Sequence, residues 1–284
     1  MSEAEAKRAL ILDSTQIDAY LTCPRYWYYG HAKQLVRADA EPPRPIMMGT
    51  YGHKLLEIYY KAKLDGSCTN LSQSIDKVLS FNPPINILPL EPTDREAVKK
   101  AFRLYAYTYS ASDIKPLMED TVEIGFSHKL YEDDSWIYIL EGRIDLIGTL
   151  IGETLFMDHK FQLRSKNLYK KAIQFRNYAL ASDKLLGVIN YIRLTKEVTK
   201  DTFNRELISF TKPELAWWRC ELISIYHNIR ESIESAHYKQ NWSACSGKYG
   251  YECEFTQLCE ERSIESRKVR ESAFYKIKEE WKPW

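Results

Sequence analysis

The stretch Gly142-Arg143-Ile144-Asp145 and, thirteen positions on, Asp158-His159-Lys160 carries the reading of this chain. Two β-rich runs, 135–149 and 153–161, hold these residues and are separated by a turn near Gly152. A third run, 123–130, precedes them across the turn Glu132-Asp133-Asp134, and the spacing predicts a meander of antiparallel strands. Asp145 and Asp158 then lie on neighbouring strands, where both carboxylates can face one cleft. Lys160, two residues after Asp158, projects from the same side of its strand, because side-chain direction repeats every second residue.

Working outward, the period becomes helical. Residues 14–30 predict a short helix capped by Ser14 or Thr15, followed by a Pro-rich loop over 41–45. From Met47 to Lys63, the positions of Leu55, Leu56, Ile58, Tyr59 and Ala62 predict a helix with a wide apolar face, entered through Gly49 and Gly52. Helices are expected over 69–80 and 94–109, with a Pro-rich loop at 81–92 between them. Beyond the meander come a helix over 169–184, strands over 187–194 and 203–210, and a long helix over 212–239 that opens with Pro213. A charged helical tail, 260–284, ends the chain. Helices followed by a small sheet that a helix interrupts make an α/β (α+β) core.

Composition bounds the function. The 284 residues carry 40 Lys+Arg against 39 Asp+Glu, a net charge of +1, and are 44% hydrophobic, so a packed core is available and disordered or fibrous classes are excluded. No apolar run reaches the ~18 residues of a membrane helix, and the N-terminus MSEAEAKRAL is charged, which predicts a cytoplasmic protein with no membrane partner. Six cysteines without a secretory signal are then reduced thiols. Cys23, Cys245, Cys253 and Cys259 stand apart from the isolated Cys68 and Cys220, which are expected to be packed thiols. The neutral total hides a one-sided run of Lys160, Arg164, Lys166, Lys170, Lys171 and Arg176; it is either a solvated loop or a track for a nucleic-acid backbone.

Asp145, Asp158 and the upstream His53 offer two carboxylates and one imidazole. That donor set is hard and mostly oxygen, and it suits Mg²⁺ or Mn²⁺ when a substrate phosphate completes the shell. A lysine beside such a site can stabilise charge on a reacting phosphate.

In order along the chain, Gly49-Thr50-Tyr51-Gly52-His53, Gly142-x-x-Asp145, Asp158-x-Lys160 and Gln174-Phe175-Arg176-Asn177-Tyr178 resemble the PD-(D/E)XK nuclease superfamily. The likeness is to its RecB-type branch, which includes CRISPR-associated adaptation exonucleases and helicase-linked nucleases, and it runs from about Ser14 to Cys259. The resemblance implies a single nuclease domain over 1–284 with a restriction-endonuclease-like core, a small mixed sheet flanked by helices, and a helical insertion at about 66–118. It implies His53, Asp145, Asp158 and the His159 carbonyl as ligands of Mg²⁺ or Mn²⁺ and Lys160 as the catalytic lysine. Gln174 and Tyr178 would line the DNA cleft, with Arg164, Lys166 and Lys170 along the DNA backbone. Glu57, one turn after His53, either orients the imidazole or is solvated. The Arg25-Tyr26-Trp27-Tyr28-Tyr29 run is either an apolar helix face or a stacking platform for bases.

Iron–sulfur members of that branch hold a [4Fe–4S] cluster with one N-terminal and three C-terminal cysteines, which maps onto Cys23, Cys245, Cys253 and Cys259 as a clasp over 245–259. Seven residues separate Cys245 from Cys253 where the branch has two, so zinc and unmetalled structural thiols stay as alternatives. The activity implied is a metal-dependent deoxyribonuclease, first an exonuclease preferring single-stranded ends and second an endonuclease, in DNA repair, recombination or CRISPR adaptation. Its partners would be DNA and a helicase or CRISPR-adaptation complex. The rival is a non-catalytic nucleic-acid-binding or assembly subunit, which has no need of two carboxylates near phosphate.

Overall fold

A computed structural model of the chain describes residues 6–64, 70–83, 88–163, 172–195, 197–246 and 252–278. In chain order the elements are β1 (Arg8–Leu12), α1 (Ser14–Thr22), α2 (Pro24–Trp27), β2 (Leu35–Arg37), α3 (Arg44–Leu64), α4 (Leu71–Leu79) and α5 (Pro92–Thr108). Then follow β3 (Lys115–Pro116), β4 (Val122–Glu132), β5 (Trp136–Leu150), β6 (Glu153–Gln162), α6 (Ile173–Ser182), β7 (Leu186–Arg193) and β8 (Phe203–Ser209). The chain closes with α7 (Lys212–Glu234), α8 (Thr256–Glu260), α9 (Ile264–Phe274) and β9 (Tyr275–Ile277). The result is the mixed α/β fold expected from the sequence. No helix among the described residues is long and apolar enough to cross a membrane.

Two compact units divide the described residues, one from 42–127 and 142–218, the other from 6–41, 128–141 and 219–278. In the first, β5 pairs antiparallel with β6, β6 parallel with β7, and β7 antiparallel with β8. Leu146 lies opposite Met157, so the adjacent Asp145 and Asp158 belong to facing strands as their spacing predicts. Period-two alternation along β6 sends Met157, His159 and Phe161 toward α3, and Phe156, Asp158 and Lys160 toward α6.

Each sheet face is covered by a helix whose apolar spacing fits it. On α3, Met48, Tyr51, Leu55, Leu56, Tyr59 and Tyr60 recur at helical spacing and are buried against α4, α5 and the sheet. Helix α3 starts at Arg44, so Gly49 and Gly52 lie inside it rather than at its entry; Pro45 sits in the first turn, where a missing N–H costs nothing. The opposite face packs Phe175, Tyr178 and Ala179 of α6 with Phe156, Ile189, Ile208 and Leu215. Behind β6, Asp113 accepts hydrogen bonds from Tyr60 (3.1 Å), Lys63 (2.9 Å) and Arg205 (2.6 Å), a buried carboxylate fully satisfied by cations and hydroxyl.

In the second unit, β1 runs parallel to residues 136–140 of β5, and the Tyr226 hydroxyl of α7 donates to the Ile139 carbonyl at 2.7 Å. Asp13, not Ser14 or Thr15, caps α1: its carboxylate accepts from the Gln16 N–H at 2.8 Å. Helix α7 stops at Glu234, five residues early, because Ala236 takes a left-handed φ of 50° that closes the last turn. Within the described part of the tail, α9 gives way to β9, which pairs antiparallel with β2.

Candidate active site

The site is built on both sides of β6. Helix α3 presents His53, whose Nδ1 stands 3.3 Å from Asp145 Oδ2 on β5. Asp145 Oδ2 also accepts the His159 backbone N–H at 2.6 Å, which ties the two strands at the carboxylate. On the α6 side, Lys160 Nζ lies 2.7 Å from Asp158 Oδ2 and donates to Gln174 Oε1 at 3.0 Å. The Gln174 amide in turn donates to Asp158 Oδ1 (3.1 Å) and to the Tyr178 hydroxyl (2.5 Å). Gln174 and Tyr178 are four residues apart, one helical turn, which puts them on one face of α6. Thus His53 and Asp145 meet on the α3 side and Asp158, Lys160, Gln174 and Tyr178 on the α6 side, and the Asp158 carboxylate still acts electrostatically on His53 and on Asp145.

His159 differs from its neighbours. Its ring is stacked on Tyr60 (5.7 Å between centroids, 14° between planes), and its Nδ1 accepts from the Asn190 amide at 2.7 Å. That bond fixes the proton on Nε2, which has no hydrogen-bond partner among the described residues. Burial holds this imidazole well below its usual range, with His53 adding to the effect.

Electrostatics mark the place as one short of positive charge. Burial raises the Asp158 carboxyl to about 6, and the Asp145 carboxylate adds to the rise against the nearby Lys160. Burial likewise raises Asp145. For His53, burial works to lower the imidazole, but Asp145 and Glu123 outweigh it and raise the group to about 9. Charged carboxylates this poorly solvated attract any cation that can enter, and His53 at 31% exposure marks the open side.

Glu123 is the residue that the sequence reading missed. Its Oε1 lies 3.8 Å from His53 Nδ1, and its Oε2 forms an ion pair with Arg143 Nε at 3.1 Å. His53, Glu123 and Asp145 each place a ligand atom within 4.8 Å of the others. Glu123 holds φ at 57°, the left-handed region, which costs a residue with a Cβ roughly 1–2 kcal/mol. Nothing in the sequence separates it from the nearby Glu119 and Asp120; only the backbone turn selects it. Glu57 goes elsewhere: its carboxylate is taken by Lys54 and Lys61, both at 2.9 Å.

A model of the PD-(D/E)XK nuclease superfamily matches residues 14–260. The chain belongs to that superfamily. Two solved structures are also similar to it. The crystal structure of SSO0001 shares 14% identity over 90% of this chain and 88% of that one, with a TM-score of 0.40. A candidate exonuclease from Eubacterium rectale shares 10% identity over 89% of this chain and 88% of that one, with a TM-score of 0.45. No curated protein sequence matches the chain. As a PD-(D/E)XK nuclease the protein is a hydrolase of DNA that works with a divalent metal. The donor set fits such an ion: carboxylates and a single imidazole, hard ligands for a hard cation.

The other expected residues separate into two groups. Arg164, Lys166 and Lys170 lie outside the described residues, as does Cys68. Cys23, Cys245, Cys253 and Cys259 all line one pocket of the second unit, together with Thr22, Tyr26, Asn241 and Phe255. All four are unpaired by disulfides, and the Asn241 N–H donates to Cys23 Sγ at 3.4 Å. Burial, then neighbouring thiols, push Cys259 up to about 11 and raise Cys253 and Cys245. Cys220 is exposed rather than packed. In the Arg25–Tyr29 run, Trp27 and Tyr29 are buried and Tyr28 stacks on Tyr238 at 4.2 Å, the arrangement of an apolar face rather than an open platform.

Proposed function

We propose that this nuclease is a deoxyribonuclease that trims DNA ends, an exonuclease preferring single strands. The observation that carries this reading is the chain Tyr178–Gln174–Asp158–Lys160 beside His53 and Asp145, an ammonium aimed by a buried carboxylate and an amide next to a site for a cation. His53, Asp145, Asp158 and the His159 carbonyl would hold Mg²⁺ or Mn²⁺, which supplies Lewis-acid stabilisation of phosphate charge and activation of water. This chain's own residues do the rest. Asp158 and Gln174 aim Lys160, so its ammonium would meet the charge that develops on the scissile phosphate. The Asp145 carboxylate is oriented by the His159 N–H, and the Tyr60 stack and Asn190 bond hold His159 itself in place. Tyr178 and Gln174 offer the strand a polar wall, and the basic run from Arg164 through Lys166 to Lys170 would follow its backbone.

Cys23, Cys245, Cys253 and Cys259 would hold a [4Fe–4S] cluster, with zinc as the alternative that metal content separates. Reduced thiols of this kind suit a cytoplasmic enzyme. A helicase or a CRISPR-adaptation complex is the class of partner that would present a DNA end.

The test uses oligonucleotides labelled at either end, single- and double-stranded, DNA and RNA, with Mg²⁺ or Mn²⁺. Asp145→Asn and Asp158→Asn should abolish turnover and weaken metal binding. Lys160→Ala should lower turnover by roughly 10²–10³-fold with metal binding kept, because it removes only the ammonium that meets the charge developing on the phosphate. Survival of every substrate overturns the enzyme reading; cleavage that survives Asp145→Asn and Lys160→Ala overturns the residue assignment.

A further inference from the structure

On the sheet face that α3 covers, a row of polar side chains crosses three strands. His159 on β6 is in register with Asn190 on β7, and Asn190 with Arg205 on β8. The Asn190 amide donates to His159 Nδ1 at 2.7 Å, and Arg205 Nε reaches Asn190 Oδ1 at 3.5 Å. From there Arg205 turns to Asp113: its Nη2 donates to Asp113 Oδ1 at 2.6 Å and to the Tyr105 hydroxyl at 2.7 Å. Its guanidinium also lies 3.6 Å from the centre of the Tyr109 ring. Asp113 accepts from the Tyr60 hydroxyl, and the Tyr60 ring stacks on His159, so the contacts close into a ring. His159, Asn190, Tyr60 and Tyr105 are all buried.

A buried ion pair is a poor source of stability, because apolar side chains of like volume in its place are often neutral or better. A polar network whose members are bonded to one another does fix geometry. The geometry fixed here belongs to the site. The His159 backbone N–H holds Asp145 Oδ2, and Tyr60 lies two helical turns beyond His53 on α3. We propose, on the footing of the cation site proposed above, that Asp113, Arg205 and Asn190 are positioning residues of this nuclease. They anchor the His159 main chain and the seat of α3 on β6, and through these they set Asp145 and His53 for the cation. None of the three belongs to the motifs read from the sequence.

The test separates position from stability. Asp113→Leu combined with Arg205→Met replaces the ion pair by apolar side chains of similar size, and the protein should melt within about 4 °C of the parent. Its Mn²⁺ affinity should nevertheless fall about tenfold or more, measured on metal-stripped, full-length protein without DNA from the paramagnetic resonance of the unbound ion. Asn190→Ala cuts the row at its middle and should weaken Mn²⁺ binding similarly. With Mg²⁺ and a labelled single-stranded oligonucleotide, well below each melting midpoint, kcat should drop about tenfold or more in both while KM for DNA stays within about twofold. Asp145→Asn is measured beside them. Parental Mn²⁺ affinity in the folded double variant, or in Asn190→Ala if the double variant does not fold, overturns the anchor and leaves the cation site standing, provided Asp145→Asn is impaired. A loss confined to KM overturns it too, because the effect then falls on DNA binding rather than on the cation. Parental affinity in Asp145→Asn overturns the cation site itself.

Discussion

Gly52 shows how one missing methyl can place a site. A Cβ at this position would lie 2.3 Å from Cζ of the Phe161 ring, far inside contact distance. Phe161 is also the ring against which His53 packs, edge-on at 5.5 Å between centroids. Glycine in mid-helix is a poor helix former, so its presence in α3 reflects this approach to β6. Gly52→Ala must therefore swing the Phe161 ring or lift α3, and either motion moves the imidazole of the next residue. The expected loss is about 1–3 kcal/mol of stability, with a drop in cleavage beyond what unfolding explains. Thermal melts and single-turnover rates measure the two parts, and Phe161→Leu in the Gly52→Ala background should restore both in part. A Gly52→Ala enzyme of parental stability and rate would mean that the ring yields freely.

At the scale of elements, what was legible followed from period. Helix α3 announced itself through apolar residues every three to four positions, and β5, β6 and β7 through their β-rich runs between turns, so Asp145, Asp158 and Lys160 could be placed on strands in advance, whereas Gln174 and Tyr178 were singled out by the family resemblance. The short strands β1, β2 and β9 were not legible, because three to five residues carry no period and their partners are remote in the chain. Glu123 was illegible for another reason: its place beside His53 follows from a backbone angle that no residue type encodes. Strand β4 also ends on a residue with a testable charge state. Lys7 and Lys129 hold Glu132 at 2.7 and 2.9 Å and push its carboxyl down to about 2. A depressed carboxyl adds stability above its ordinary value near 4.5 and loses that contribution as pH falls through about 2. A carbon-detected NMR titration of the Glu132 carboxyl should find that low midpoint, and Lys7→Gln with Lys129→Gln should return it toward 4.5. A parental midpoint at 4.5 would mean that solvent screens the pairs.

For the whole molecule, the four pocket cysteines make the strongest demand, since burial and neighbouring thiols push the Cys245, Cys253 and Cys259 thiols up and a bound cation would offset both. Protein purified without oxygen should contain stoichiometric iron and sulfide, or stoichiometric zinc, and its removal should lower the melting temperature. Changing Cys23, Cys245, Cys253 or Cys259 to Ser should destabilise the fold more than Cys220→Ser, whose side chain is exposed. Metal-free protein that is fully folded, or equal effects at all five positions, would remove the clasp. The same pocket has a consequence in time. Asn241, whose N–H meets the Cys23 sulfur, comes 218 residues after it. At the ~5–20 residues per second of protein synthesis, Cys23 waits roughly 11 to 47 s before its companions are made. During that interval it is a lone thiol in an unfinished pocket, open to oxidants and to stray metal. Loss of function under oxidative stress should then fall on newly made chains and spare those already complete.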